Sequence, residues 1–96
     1  MRYTFISAMI IDDLVWDPAV LDKLERKHHV TGAEVESVFF DGRPHIRRFG
    51  AVYQAFGRTS EGRYLFVVFI RVGGGKIRPI TARDMEPMER RRYGRR

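Results

Sequence analysis

Arginine dominates the chemistry available to this chain. Six of the last sixteen residues, "TARDMEPMERRRYGRR" from Thr81 to Arg96, are arginine. Arg58, Arg63, Arg78 and Arg83 stand at or near the ends of apolar runs, and Arg90, Arg91 and Arg92 lead directly into Tyr93. A guanidinium is a planar fork that holds two phosphate oxygens at once, and a tyrosine ring can stack on an unpaired base. Lys27 adds a cation beside His28, whose imidazole type suits proton transfer near neutral pH. These residue types fit recognition of a phosphate polymer. Taken one at a time, an arginine at a strand end is a solvated rim and a histidine on an apolar helix face is a core residue. Convergence would make them a site.

Other chemistries fail on spacing. Gly73-Gly74-Gly75-Lys76 lacks the long glycine spacing, the Ser/Thr after the lysine and the following helix of a phosphate loop, so it reads as a hairpin turn. His28 and His29 would point about 100° apart on a helix, and His45 is distant. With no cysteine and no His-Glu-x-x-His spacing, no metal site is expected, and no cofactor. Asp12-Asp13 reads as a solvated turn. No Ser-His-Asp pattern or nucleophile elbow occurs. The absence of cysteine also fits a reducing compartment. The opening MRYTFISAMII is too short an apolar run for a signal peptide or a membrane span.

The charge is polarised. Residues 1–41 carry four Lys/Arg against eight Asp/Glu, net −4, and residues 42–96 carry fourteen against four, net +10. A net charge of +6 spread evenly would speak to solubility, but a basic half suggests a face for a polyanion.

The elements that must position these groups follow from periodicity. At 96 residues a single domain, 1–96, is expected, with 1–13 an extension or first strand and 94–96 a loose tail. Trp16-Asp17-Pro18 starts a helix: Asp17 caps it, Pro18 takes its first position, and Trp16 staples onto Leu21. Leu21, Leu24 and His28 share one face, and the helix should stop near His29. Thr31 to Glu34 is a capping box stapled by Val30 and Val35, and Asp41-Gly42 ends that second helix. After Pro44 the period becomes two. "HIRRFG", "AVYQAFGRT", "YLFVVFIRV" and "KIRPITARD" read as consecutive strands, with hairpin loops at residues 60–63 and 73–75. Tyr64 to Ile70 should be the buried central strand, and Pro79 favours an edge place for the last one. On that strand Arg78 and Arg83 would face opposite ways unless a bulge intervenes near Pro79. Glu86 to Arg92 reads as a short third helix. The result is an α+β fold, an antiparallel β-meander with two N-terminal helices on one face and a short C-terminal helix.

This pattern resembles the BrnT family of toxins, relatives in fold of the RelE ribonucleases. The likeness runs from about Trp16 to Tyr93 and rests on W-D-P before the first helix, K-H at its end, G-R-T-x-x-G-R at the hairpin, and I-T-A-R with E-R-R-x-Y near the end. The chain departs from the family in three places. It has His29 where the family reads glycine, Leu24 where an asparagine usually sits, and a longer N-terminal extension.

The resemblance implies a RelE-like fold and the toxin of a type II toxin–antitoxin module, a ribonuclease of the prokaryotic cytoplasm. Its partners would be RNA and a cognate antitoxin with a ribbon-helix-helix DNA-binding half, so that DNA is met only through the complex, with no membrane involved. Edge strands leave a homo-oligomer open. Metal-independent cleavage would use the neighbouring 2′-OH as nucleophile, which needs a base, an acid and cations for the phosphoryl charge. On this reading Arg58 and Arg83 carry the charge role. Arg63 or Arg78 hold flanking phosphates, with Arg90, Arg91 and Arg92 alongside. His28 and Tyr93 transfer protons or stack, and Lys27 is a further cation. Arg83→Ala should then abolish cleavage with little effect on unfolding. The competing reading is a non-catalytic basic module that binds nucleic acid or an acidic antitoxin through the same arginine face.

Overall fold

Two capping signals place the helices, and the two-residue alternation that follows builds the sheet. The computed structural model describes residues 3–6 and 9–94. In chain order the elements are β1 (Thr4–Ile6), β2 (Met9–Ile11), β3 (Asp13–Leu14), α1 (Pro18–His28), α2 (Gly32–Phe40), β4 (His45–Phe49), β5 (Val52–Arg58), β6 (Tyr64–Gly73), β7 (Lys76–Asp84) and α3 (Pro87–Tyr93). Arg95 and Arg96 of the expected tail lie outside the described residues.

The Asp17 carboxylate accepts from the Ala19 N–H at 2.9 Å, satisfying one of the amides that open α1. Trp16 and Leu21 both lie against Gly32, at the start of α2. Around Thr31 the capping box is closed in both directions: the Glu34 N–H donates to Thr31 Oγ1 and the Thr31 N–H donates to Glu34 Oε1. Between the helices His29 takes φ 53°, the left-handed conformation that favours glycine. That single residue turns the chain from α1 into α2.

The main sheet has the order β3-β7-β6-β5-β4. The four strands β4 to β7 form the antiparallel meander, whereas β3 runs parallel to β7 through Asp13–Lys76 and Leu14–Ile77. The sheet is therefore mixed, and β3 covers the start of β7, where the sequence pattern expected a bare edge. A two-residue strand has no periodicity to read, so it was invisible in the sequence.

Register in β7 slips between Val68–Thr81 and Phe69–Pro79, which leaves Ile80 as an extra residue. The bulge sits beside Pro79, whose missing N–H cannot join a ladder. Its consequence is geometric. Arg78 pairs with Ile70 and Arg83 with Phe66, four residues apart on β6, so both arginines share one sheet face.

The faces differ in their cover. Leu24 of α1 and Val35, Val38 and Phe39 of α2 pack on Ala55, Leu65, Val67, Phe69, Ile77 and Ala82. Phe39 meets Phe69 edge-on, with ring centroids 5.3 Å apart. Each buried Val, Leu, Ile or Phe side chain contributes about 1.5–3 kcal/mol. The opposite face is covered at one end by α3, through a smaller cluster of Phe56, Phe66, Met85 and Tyr93. β1 and β2 form a separate antiparallel pair, anchored in the main core by Met9 and Ile11.

Candidate nucleic-acid interface

The β5–β6 hairpin is closed by its own residues. Thr59 N–H donates to the Arg63 carbonyl at 2.8 Å, and the Arg63 N–H donates to Thr59 Oγ1 at 3.0 Å. The loop is tied to α2 by the Ser60 N–H, which donates to Ser37 Oγ at 3.1 Å. A loop this short fixes the pairing at its mouth, so Arg58 and Tyr64 stand directly opposite each other.

Tyr64 is the centre of the site. The Arg58 guanidinium lies 5.0 Å from its ring centroid, and that of Arg90, arriving from α3, lies 4.4 Å away. Beside the ring is a depression of about 390 Å³ lined by Tyr64, Met85, Pro87, Arg90, Arg91 and Gly94. A second depression, about 300 Å³, includes Arg43, Arg58, Thr59 and Ser60 and shares Gly94 with the first. A Cβ on Gly94 would stand 2.8 Å from Tyr64 Cε1, so only glycine lets the chain pass this close to the ring. The two depressions form one groove. Among the described residues, Arg43, Arg58, Arg90 and Arg91 form no ion pair, so their charge faces the groove unspent.

Arg63, five residues from Arg58, is bound on every side. Its Nε and Nη2 donate to the two oxygens of Asp84 at 2.7 and 3.1 Å. Nη1 donates to the His29 carbonyl at 2.7 Å and to Glu34, and Nη2 also reaches the His28 carbonyl at 3.2 Å. One guanidinium thus caps the carbonyl end of α1, pairs with the capping-box acid of α2 and clamps the end of β7. The Asp84 fork, then Glu34, raise the Arg63 pKa against the opposing effect of burial. Arg63 in turn lowers Asp84, with His28 nearby making a lesser contribution. Partial burial tends to raise Glu34, but the Thr31 N–H and Arg63 outweigh it and hold its pKa down. These five donors are occupied by protein.

Arg83 also has a partner. It forms a bidentate pair with Glu89 of α3 at 2.8 and 3.1 Å and lies 4.4 Å from the Phe66 ring centroid. The pairing raises Arg83 and lowers Glu89, with burial opposing both. Tyr93 is buried, stacked at 4.0 Å on Phe56 and at 5.0 Å on His45, and its hydroxyl accepts from Arg47 Nη1 at 3.1 Å. Its ring faces are in the protein. Arg92 is exposed, 5.4 Å from the Tyr93 ring, and Lys27 is exposed on α1. His28 is half-buried and close enough to Asp84 to act on it. Arg78 is exposed beside Ile70, six residues along β6 from Tyr64 and so about 20 Å down the sheet.

The structure therefore brings Arg58, Arg90 and Arg91 together and places Arg78 elsewhere. It adds two residues that the sequence reading missed. Tyr64 was legible, because a short loop between Arg58 and Tyr64 dictates that they pair. Arg43, in the loop after α2, carries no local signal.

The family described as "Ribonuclease toxin, BrnT, of type II toxin-antitoxin system" matches residues 16–89. No curated protein sequence matches the chain. Among solved structures, the ribonuclease toxin BrnT of Brucella abortus superimposes with a TM-score of 0.62 at 18% identity, covering 77% of this chain and 96% of that one. At that identity the likeness speaks to the fold, and the fold is shared. Through the family match, which spans α1, α2, the meander and the start of α3, this chain belongs to the BrnT family of ribonuclease toxins of type II toxin–antitoxin systems.

Proposed function

We propose that the chain cleaves RNA in the groove around Tyr64, without a metal ion. The observation that carries this reading is the pair of unneutralised guanidiniums, Arg58 and Arg90, brought to one tyrosine from two different elements. In the reaction the 2′-oxygen bonds to the adjacent phosphorus and the bond from phosphorus to the 5′-oxygen breaks. The products are a 2′,3′-cyclic phosphate and a free 5′-hydroxyl. Arg58 and Arg90 stabilise the charge that builds on the phosphoryl oxygens, an effect strongest where the donors are already in place. Arg43 and Arg91 hold flanking phosphates. His28, near enough to Asp84 to act on its charge, accepts the 2′-OH proton, and the Tyr64 hydroxyl protonates the departing 5′-oxygen. Arg83 acts through its pair with Glu89, holding α3 and hence Arg90 in place.

The partner is an antitoxin of ribbon-helix-helix type, whose acidic toxin-binding segment meets the +10 half of the chain. The complex, acting in a prokaryotic cytoplasm, reads DNA through the antitoxin. The proton assignment is tested by comparing Tyr64→Phe with Tyr93→Phe. Loss of one hydroxyl at Tyr64 should slow cleavage about 10²-fold or more. An unchanged rate in Tyr64→Phe would remove the phenol from the mechanism. Salt-sensitive binding with no turnover by the wild type would instead make the protein a binding module.

A further inference from the structure

The β1–β2 pair lies ahead of residues 16–89, outside the span that the family model matches. Its inner face is anchored by Met9 and Ile11, while its outer face presents Tyr3, Phe5 and Ile10 at 64%, 66% and 54% exposure. Three of the seven large apolar side chains exposed on the described residues are therefore concentrated in this short segment. Such clustering marks a contact surface rather than ordinary scatter.

What the surface contacts is indicated by what it adjoins. A depression of about 620 Å³ lies between this strand pair and the loop after α2, lined by Tyr3, Thr4, Phe5 and Ile6 on one side and Phe40, Asp41, Gly42 and Arg43 on the other. Asp41, Gly42 and Arg43 also line the depression that holds Arg58. The arginine groove thus continues into an aromatic end. Among the described residues the charged groups lining that end are Arg43 and Asp41, and its ring faces are those of Tyr3, Phe5 and Phe40.

We propose that β1–β2 is an auxiliary subsite for single-stranded RNA, in which a nucleotide flanking the cleaved bond stacks on Tyr3 or Phe5. Arg43 holds the phosphate between the two subsites. The inference rests on the groove being an RNA site. The occupant is argued from continuity: the depression lined by Tyr3 and Phe5 shares Asp41, Gly42 and Arg43 with the cationic depression that holds Arg58, so a strand lying in the groove passes the two rings. Aromatic rings accept any base, so the subsite adds affinity and reach, with little sequence preference.

The test uses the full chain and 2′-O-methyl oligoribonucleotides, which bind but lack the attacking hydroxyl. One oligomer is a dinucleotide, which offers only the two nucleosides of the scissile bond, and the other has about twelve nucleotides, within the range that single-strand grooves accommodate. For the longer oligomer, Tyr3→Ala/Phe5→Ala should raise Kd about tenfold or more, and Tyr3→Phe/Phe5→Trp should keep wild-type affinity. The shorter oligomer, unable to span groove and strand pair together, should bind every variant alike. An unchanged Kd for the longer oligomer overturns the proposal. Equal losses on both lengths overturn it too, by making the strand pair a prop for the groove. So does a wild-type dimer that the alanine variant turns into a monomer, which would assign the face to a second copy. If the wild type binds neither oligomer, the RNA reading of the groove itself falls, and the subsite with it.

Discussion

Arg58 and Arg63 sit at opposite ends of one four-residue link, Thr59 to Gly62, and have opposite surroundings. Arg63 meets two carboxylates and two helix-end carbonyls, and every N–H of its fork is used. Arg58 meets the face of Tyr64 and forms no ion pair among the described residues. Residue type is the same, and loop position is nearly symmetrical. What separates a structural tie from a ligand-facing cation is the number of acceptors that the fold delivers to it. The same contrast separates Tyr93, stacked and hydrogen-bonded inside the protein, from Tyr64, half-buried at the edge of a groove.

The comparison can be broken most directly at Arg58. Arg58→Ala should lower RNA cleavage by about 10²–10³-fold, the loss typical of removing one donor to a developing oxyanion. Its melting temperature should remain near wild type, because the side chain is exposed and ties nothing together. Equal damage to fold and cleavage would erase the distinction.

Arg63→Ala should do the reverse. Removing a fork that caps a helix and pairs with two acids should cost about 2–3 kcal/mol, or roughly 10–20 °C in melting temperature for a chain of this size. Arg63→Lys should recover little, since an ammonium cannot bridge acceptors that require a planar fork. Thermal unfolding of the two variants would decide this.

Acid sharpens the contrast further. Asp84, Glu34 and Glu89 are held below their ordinary values in the fold. Their contribution is fully present above the unfolded carboxylate range, near pH 4, and disappears as pH falls through the lower folded values. Arg63 and Arg83 are raised, so their contribution persists at every pH below the ordinary arginine range. Stability should therefore fall on the acid side below about pH 4. That loss should be shallower in Arg63→Ala, as melts at neutral pH and near pH 3 would show.

The smallest effect belongs to the turn between the helices. His29→Gly should stabilise by about 1 kcal/mol, because glycine enters the left-handed region without the penalty of a Cβ. A lower melting temperature would mean that the histidine side chain supports the turn in some other way.

Local signals made most of the fold legible. Asp17, the Thr31 box and the glycine turns act over four residues or fewer, the apolar run of β6 is continuous in sequence, and each stands where the pattern put it. The parts that were not legible depend on distant partners. A bulge near Pro79 was open from the proline, but its place at Ile80, which puts Arg83 on the face of Phe66, is fixed only when β7 is laid against β6. Arg63's partners are 21 to 35 residues away, so nothing near it announced that its charge was already committed. Arg83 is similar: its pair with Glu89 fastens α3, so Arg83→Ala should disturb folding as well as cleavage. Tyr93 looked available because its neighbours in sequence are arginines, while its neighbours in space are Phe56 and His45.

The central claim, that the Tyr64 groove cleaves RNA without metal, is tested most directly by incubating the pure protein with labelled RNA in EDTA beside the Arg58→Ala variant. Discrete fragments ending in a cyclic phosphate, formed by the wild type and nearly absent with the variant, are the predicted result. RNA left intact by the wild type, or cut equally well by Arg58→Ala, would contradict it.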